Sequence, residues 1–209
     1  MMAWYYIGII FDEANLLRGS NLELLRMNES NSETLVKAAE IISNSEYLTG
    51  LTGAGVSRES NVPTFRGKDG LWRKYNAMDL ATPNAFATNP KLVWEWYAWR
   101  QGLIAGCAPN PAHITLAHWE SQGLLKCLIT QNVDGLHRRA GSENVLEVHG
   151  DLWATKCSTC DFRGRLDAPA VGIPTCPSCN GIIRPDVVWF GESLDRQVLT
   201  QVHAELMSA

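Results

Sequence analysis

Four cysteines fall into two matched pairs, Cys157-Ser158-Thr159-Cys160 and Cys176-Pro177-Ser178-Cys179, with fifteen residues between them. Each C-x-x-C turn places two sulfurs on one side of a tight knuckle, and two knuckles complete a tetrahedron suited to zinc. Pro177, Asn180 and Gly181 are residues that sharp turns favour. A pair of disulfides would need an oxidising compartment, which nothing in the chain indicates. Four thiolates leave a zinc ion no open coordination position, so the metal would be structural and the chemistry must lie elsewhere.

Four further groups could carry it. Gly53-Ala54-Gly55 follows an apolar run, and such a turn either lets backbone N–H groups approach a pyrophosphate or serves a tight corner sterically. Arg58 stands where a third glycine would complete the dinucleotide fingerprint. Asn132 and Asp134 sit two apart at a strand end, where they could grip an amide-bearing ligand or simply cap a turn. His149 follows an apolar strand and precedes Gly150, a setting for a general base or for a satisfied structural histidine. Tyr97 and Arg100 are three apart on one helix face, which suits an anionic ligand or an aromatic core stripe edged by a solvated arginine. His113, His118, His137 and His203 have no comparable setting and read as structural.

The elements that must position these groups alternate. A helix runs from Ser32 as its cap, a short strand spans Tyr47 to Thr52, and a long polar loop extends from the glycine turn to about Asn76. Tryptophan-rich residues 90–106 form a helix, and Pro111 to Gln122 another, with proline near the start and Gly123 past the end. Cys127–Thr130, Val145–Val148 and Val187–Phe190 read as further strands. Three strands end in polar, glycine-containing turns, and in an open parallel α/β sheet ligands bind at the carboxyl ends of strands. The fold class is therefore α/β: a Rossmann-like parallel sheet with a small zinc-binding insert. Its parts are an N-terminal extension (1–32), a nucleotide-binding portion with a helical insert (33–154), a zinc ribbon (155–185) and a terminal segment (186–209).

Composition narrows the class further. The chain has 209 residues, 45% of them hydrophobic and 19% charged, which is ordinary for a globular protein. A net charge of −4 argues against nucleic-acid binding. The apolar stretch Met1–Phe11 has no basic flank or cleavage site and is too short to span a bilayer, so neither secretion nor a membrane is expected. Cys107 and Cys127 read as reduced core thiols, and with a thiolate metal site they favour a reducing, cytoplasmic setting. No feature specifies an oligomer.

Taken together and in order, these motifs resemble the sirtuins, the NAD-dependent protein-lysine deacylases. Thr52–Arg66 matches the family's first signature, Gln131-Asn132-Val133-Asp134-Gly135-Leu136-His137 the second, and His149-Gly150 the third. The two cysteine knuckles and Val188-Trp189-Phe190-Gly191-Glu192 follow, so the likeness covers roughly residues 33–195. It departs at Asn61, where the family usually has glycine. Ala81, in Leu80-Ala81-Thr82-Pro83, and the pair Tyr97 and Arg100 further resemble the class that removes acidic acyl groups.

The resemblance implies roles. Gly53, Ala54, Gly55 and Ser57, with Thr64, Phe65, Arg66 and Gln131, would cradle NAD, and Asn132 and Asp134 would hold its nicotinamide amide. His149 would take a ribose hydroxyl proton so that the ribose oxygen can attack the acyl carbon. Ala81 would widen the acyl pocket, and Tyr97 with Arg100 would bind the carboxylate of succinyl- or malonyl-lysine. Val188, Phe190 and Gly191 would pair with the backbone of an acyl-lysine protein or peptide. Products would be nicotinamide, free lysine and O-acyl-ADP-ribose. In the family the sheet continues with loops that contact the adenosine half of NAD, so a chain ending at Ala209 resembles a C-terminally truncated member with weak NAD binding. A non-catalytic zinc-ribbon module and a mono-ADP-ribosyltransferase are the rival functions.

Overall fold

The computed structural model describes residues 29–62 and 77–209, and these divide into two compact units, one ending at Ser45 and one beginning at Glu46. The first contributes a single helix, α1 (Glu29–Ser43), which begins three residues before Ser32, the cap expected from sequence. The polar run ahead of Leu35 carries no apolar periodicity to mark the true start.

The second unit holds the remaining elements. In chain order they are β1 (Leu48–Thr52), a 3₁₀ helix (Ala54–Ser60), α2 (Ala77–Leu80), α3 (Pro83–Thr88), α4 (Pro90–Ala105), α5 (Pro111–Ser121) and β2 (Leu125–Thr130). After these come α6 (Leu136–Arg139), β3 (Val145–Glu147), β4 (Gly150–Cys157), β5 (Arg163–Arg165), β6 (Ile183–Val187) and α7 (Arg196–Ser208). Strands β1, β2 and β3 form a parallel sheet with β2 in the middle. A central parallel strand is covered on both faces, and accordingly every residue of β2 except Lys126 is buried. Leu125, Leu128 and Val145 pack there against Leu116 and Trp119 of α5.

The second sheet is antiparallel, ordered β5-β4-β6. Here the structure corrects the expected strand Val187–Phe190: the strand is Ile183–Val187, and Val188–Phe190 leave it as irregular backbone. The sequence Ile-Arg-Pro-Asp-Val hides a strand because proline removes a ladder donor. It still alternates, with Ile183, Pro185 and Val187 buried and Arg184 and Asp186 half-buried. A larger core joins this sheet to α3 and α4, through Phe86, Trp94, Tyr97, Leu152, Ile183 and Trp189. Trp94 Nε1 donates to the Ile183 carbonyl at 2.8 Å, so the largest buried ring has its polar edge satisfied.

Two backbone positions explain residue choices. Asn61 closes the 3₁₀ helix at φ 60°, ψ 21°, the left-handed region that glycine adopts freely and asparagine tolerates best among the others. The departure from the family's glycine is thus conformationally conservative. At Gly150 φ is 81°, and a Cβ there would lie 2.1 Å from the Asp186 carbonyl oxygen. Only glycine lets β4 and β6 cross at that point. No helix among the described residues is long and apolar enough to cross a membrane.

Candidate active site and metal module

The carboxyl ends of β1, β2 and β3 open onto one cavity of about 450 Å³. Ala54, Ser57, Gln131, Asn132, Asp134 and His149 line it from the sheet, and Ala81, Tyr97 and Arg100 line it from the helical insert. Val188, Phe190 and Gly191 close a further side. The structure thus brings together residues that lie as far apart in sequence as Ala54 and Gly191 around one space. Thr64, Phe65 and Arg66 lie outside the described residues.

Behind the sheet-side wall runs a buried polar network whose directions can be worked out atom by atom. The Gly53 carbonyl can only accept, so the Asn132 group 3.0 Å from it is Nδ2. The same Nδ2 donates to Ser57 Oγ at 3.1 Å, and Ser57 Oγ donates to Asp134 Oδ2 at 2.7 Å. Leu136 N satisfies Asp134 Oδ1 at 2.9 Å. Asn132 and Asp134 therefore converge on one hydroxyl, as their two-residue spacing suggests, and no described residue bonds Asn132 Oδ1.

Two histidines complete the network, and the sequence alone did not mark them. His113 Nδ1 accepts from Asn110 N at 3.3 Å, so its proton sits on Nε2, 3.3 Å from Ser57 Oγ. His137 Nε2 lies 2.9 Å from Thr52 Oγ1, whose own hydrogen goes to Thr130 Oγ1 at 2.9 Å; Nε2 is therefore the donor. Asn132 N donates to that same Thr130 oxygen at 3.1 Å. The signal for His113 was present in Asn110-Pro111-Ala112-His113, because an asparagine cap with a polar third residue is a capping box, which the structure contains.

Burial pushes both imidazoles toward the neutral form. His113 is lowered by desolvation against the opposing pull of Asp134, and His137 falls to about 3 through desolvation and then the neighbouring His113. Unfolding frees both to bind protons, so stability falls as pH drops below the unfolded value of about 6.5. We expect an acid slope steepened by about 1.4 kcal/mol per pH unit for each histidine, continuing for His137 until it titrates in the fold. Urea unfolding at several pH values measures it. His137→Gln should remove about half of the excess slope; an unchanged slope would refute the burial argument.

His149 is held differently. Its Nδ1 lies 2.9 Å from the Gln131 carbonyl, an acceptor, so Nδ1 carries the proton and the basic lone pair is on Nε2. Across the cavity, Tyr97 is fully buried and Arg100 is 5% exposed. The guanidinium carbon lies 4.8 Å from the Trp96 ring centre and 5.6 Å from that of Tyr97. Burial lowers the Arg100 pKa, with Tyr97 and Asp134 pulling it back up. Burial likewise raises Tyr97. A cation on a mostly aromatic wall is poised for an anionic guest.

The four cysteines form a separate centre. Their sulfurs lie within 4.8 Å of one another, with Cys157–Cys179 at 3.5 Å and Cys160–Cys176 at 3.6 Å. A regular tetrahedron of sulfurs about 2.3 Å from zinc has edges of about 3.8 Å, so the donor set fits that ion. Thr159 N and Gly181 N donate to Cys157 and Cys179, and Asn180 takes the left-handed conformation at φ 59° that its knuckle needs. The Thr159 N–H is the leading reason the Cys157 thiol drops to about 6, which favours a thiolate ligand. We expect one zinc per chain by metal analysis of reduced protein, and Cys176→Ala to unfold the module, because bound zinc supplies its folding energy. Clean protein without zinc would refute the assignment.

A parallel sheet with polar turns at its carboxyl ends and a four-thiolate module defines an α/β nucleotide-binding protein carrying a metal ribbon. The sequence profile of the Sir2 family matches residues 53–209, and the chain belongs to that family. It is 52% identical over 173 residues to an NAD-dependent protein deacylase of Pyrococcus furiosus, covering 79% of this chain and 69% of the relative. An NAD-dependent protein deacylase of Aeropyrum pernix is 51% identical over 170 residues, covering 81% and 69%. Among solved structures, a Sir2 homolog–NAD complex superimposes with TM-score 0.77 at 48% identity, covering 82% of this chain and 68% of that one. A Sir2 protein with a deacetylated p53 peptide and 3′-O-acetyl ADP ribose gives TM-score 0.72 at 31% identity, covering 82% and 71%.

Proposed function

We propose that this chain removes acyl groups from protein lysines in an NAD-dependent reaction, and that it prefers the acidic succinyl and malonyl groups to acetyl. The deacylase relatives and the NAD-bound neighbour support the first part. The observation that carries the second is Arg100, a buried guanidinium in the wall of the cavity that His149 also lines.

The residues present fit NAD as co-substrate. A Cβ at Gly53 or Gly55 would meet no described atom within 4 Å, so the backbone there faces open space. When bound, NAD supplies an electrophilic ribose carbon with nicotinamide as leaving group. Asn132 Oδ1 would accept an amide N–H, its side chain held still by Gly53 and Ser57. His149 Nε2 would accept a proton, its ring oriented by the Gln131 carbonyl. Tyr97 and Arg100 would hold the distal carboxylate, and Ala81 would leave room for it. Along the wall, the backbone N–H groups of Val188 and Phe190 already bond to His149 and Ala81. An incoming peptide would therefore use the Val188 carbonyl and the Gly191 N–H.

The test is mass spectrometry of succinyl-, malonyl- and acetyl-lysine peptides incubated with NAD. O-acyl-ADP-ribose, formed fastest from the acidic acyl peptides, is the expected product. ADP-ribose transferred to protein, or no NAD consumption by a zinc-loaded chain, would overturn the reading.

A further inference from the structure

Arg184 is not among the residues that line the cavity. It lies on β6 with its side chain 12% exposed, facing a Glu192 side chain that is 24% exposed. Nη1 and Nη2 donate to Glu192 Oε1 and Oε2 at 2.6 and 2.9 Å, the parallel fork peculiar to guanidinium and carboxylate. Nη2 also donates to the Val187 carbonyl at 3.1 Å. The guanidinium carbon lies 3.4 Å from the ring centre of Trp189, a stacking distance. Glu192 in turn accepts the Trp189 backbone N–H at 2.9 Å. One ion pair thus grips the carbonyl before the turn, the backbone within it and the face of its indole.

What it grips reaches the acyl pocket. Trp189 is 2% exposed, and its Nε1 donates to the Tyr97 hydroxyl oxygen at 2.8 Å. With that oxygen accepting from the indole, the Tyr97 hydroxyl hydrogen must point away from Trp189. Resting on the acidic-acyl reading, we propose that Arg184 and Glu192 are positioning residues for acyl selection. They press Trp189 flat against the cavity wall, so that its indole N–H fixes the Tyr97 hydroxyl for the ligand carboxylate. A lysine at 184 keeps the charge but cannot stack on the ring or span both carboxylate oxygens.

The test uses Arg184→Lys, Glu192→Gln, Trp189→Phe and the double variant Arg184→Lys/Trp189→Phe. Two quantities are read: hydrogen exchange of the Trp189 indole N–H by NMR, and binding of succinyl- and acetyl-lysine peptides with NAD present. Arg184→Lys and Glu192→Gln should speed the exchange about tenfold and weaken the succinyl peptide about fivefold, with acetyl binding and zinc content held. Trp189→Phe should reproduce the binding loss, and the double variant should be no weaker, because the effect passes through the indole. Unchanged exchange, equal weakening of both peptides, or additive losses would overturn the proposal. A parent chain that binds both peptides equally sinks the acidic-acyl reading instead, and the indole exchange then still decides whether Arg184 holds Trp189.

Discussion

Replacing His149 by alanine lowers turnover of an acylated peptide by a factor on the order of 10²–10⁴, the usual contribution of a positioned proton acceptor. The loss should fall on kcat and leave KM for the peptide almost untouched, because in the proposed reaction the ring meets the reacting atoms and not the lysine's flanking residues. Stability changes little. His149 is half-buried and makes one side-chain hydrogen bond, to the Gln131 carbonyl, worth about 1 kcal/mol. Steady-state kinetics beside a thermal melt separates the two effects. Turnover within about threefold of the parent would remove His149 from the chemistry.

Arg100→Met acts on a different quantity. Methionine fills most of the space and removes the cation, so only a substrate that needs the cation suffers. Loss of a desolvated, charge-assisted pair costs on the order of 2–4 kcal/mol, or roughly thirty- to a thousand-fold in kcat/KM for succinyl-lysine. Deacetylation should be spared. A thermal melt beside the kinetics separates this substrate effect from the loss of the guanidinium's stacking on Trp96 and Tyr97. Equal losses on both substrates would make Arg100 a structural residue.

How much of this was legible follows the range over which each signal acts. Glycine-containing turns after Thr52 and Val148 are local signals, and they mark the strand ends onto which the cavity opens. The cysteine spacing is equally local. The Tyr97–Arg100 pair was readable as two residues on a helix face, but its burial depends on the small sheet, which is distant in sequence. β4 went unread because Asp151-Leu152-Trp153-Ala154-Thr155-Lys156 is covered unevenly, by the helical insert on one side and β5 and β6 around it, so no clean alternation survives. His113 was passed over because its partner Ser57 is 56 residues away, and no pattern along the chain reports that meeting.

The crossing at Gly150 has a mechanical corollary. The chain leaves the parallel sheet at Glu147 and enters the ribbon sheet at Gly150, so the imidazole of His149 sits at the fulcrum between them. From there β4 runs to the first metal-ligating thiol, Cys157, about 23 Å away at the usual strand rise. A displacement at the far end of such a beam reaches its fulcrum only as a small rotation. The same segment is therefore intolerant of a single methyl group at Gly150, where the fulcrum has no room to give. Val171, in the loop between β5 and β6, is 98% exposed, so sequence there can diverge without loading that crossing.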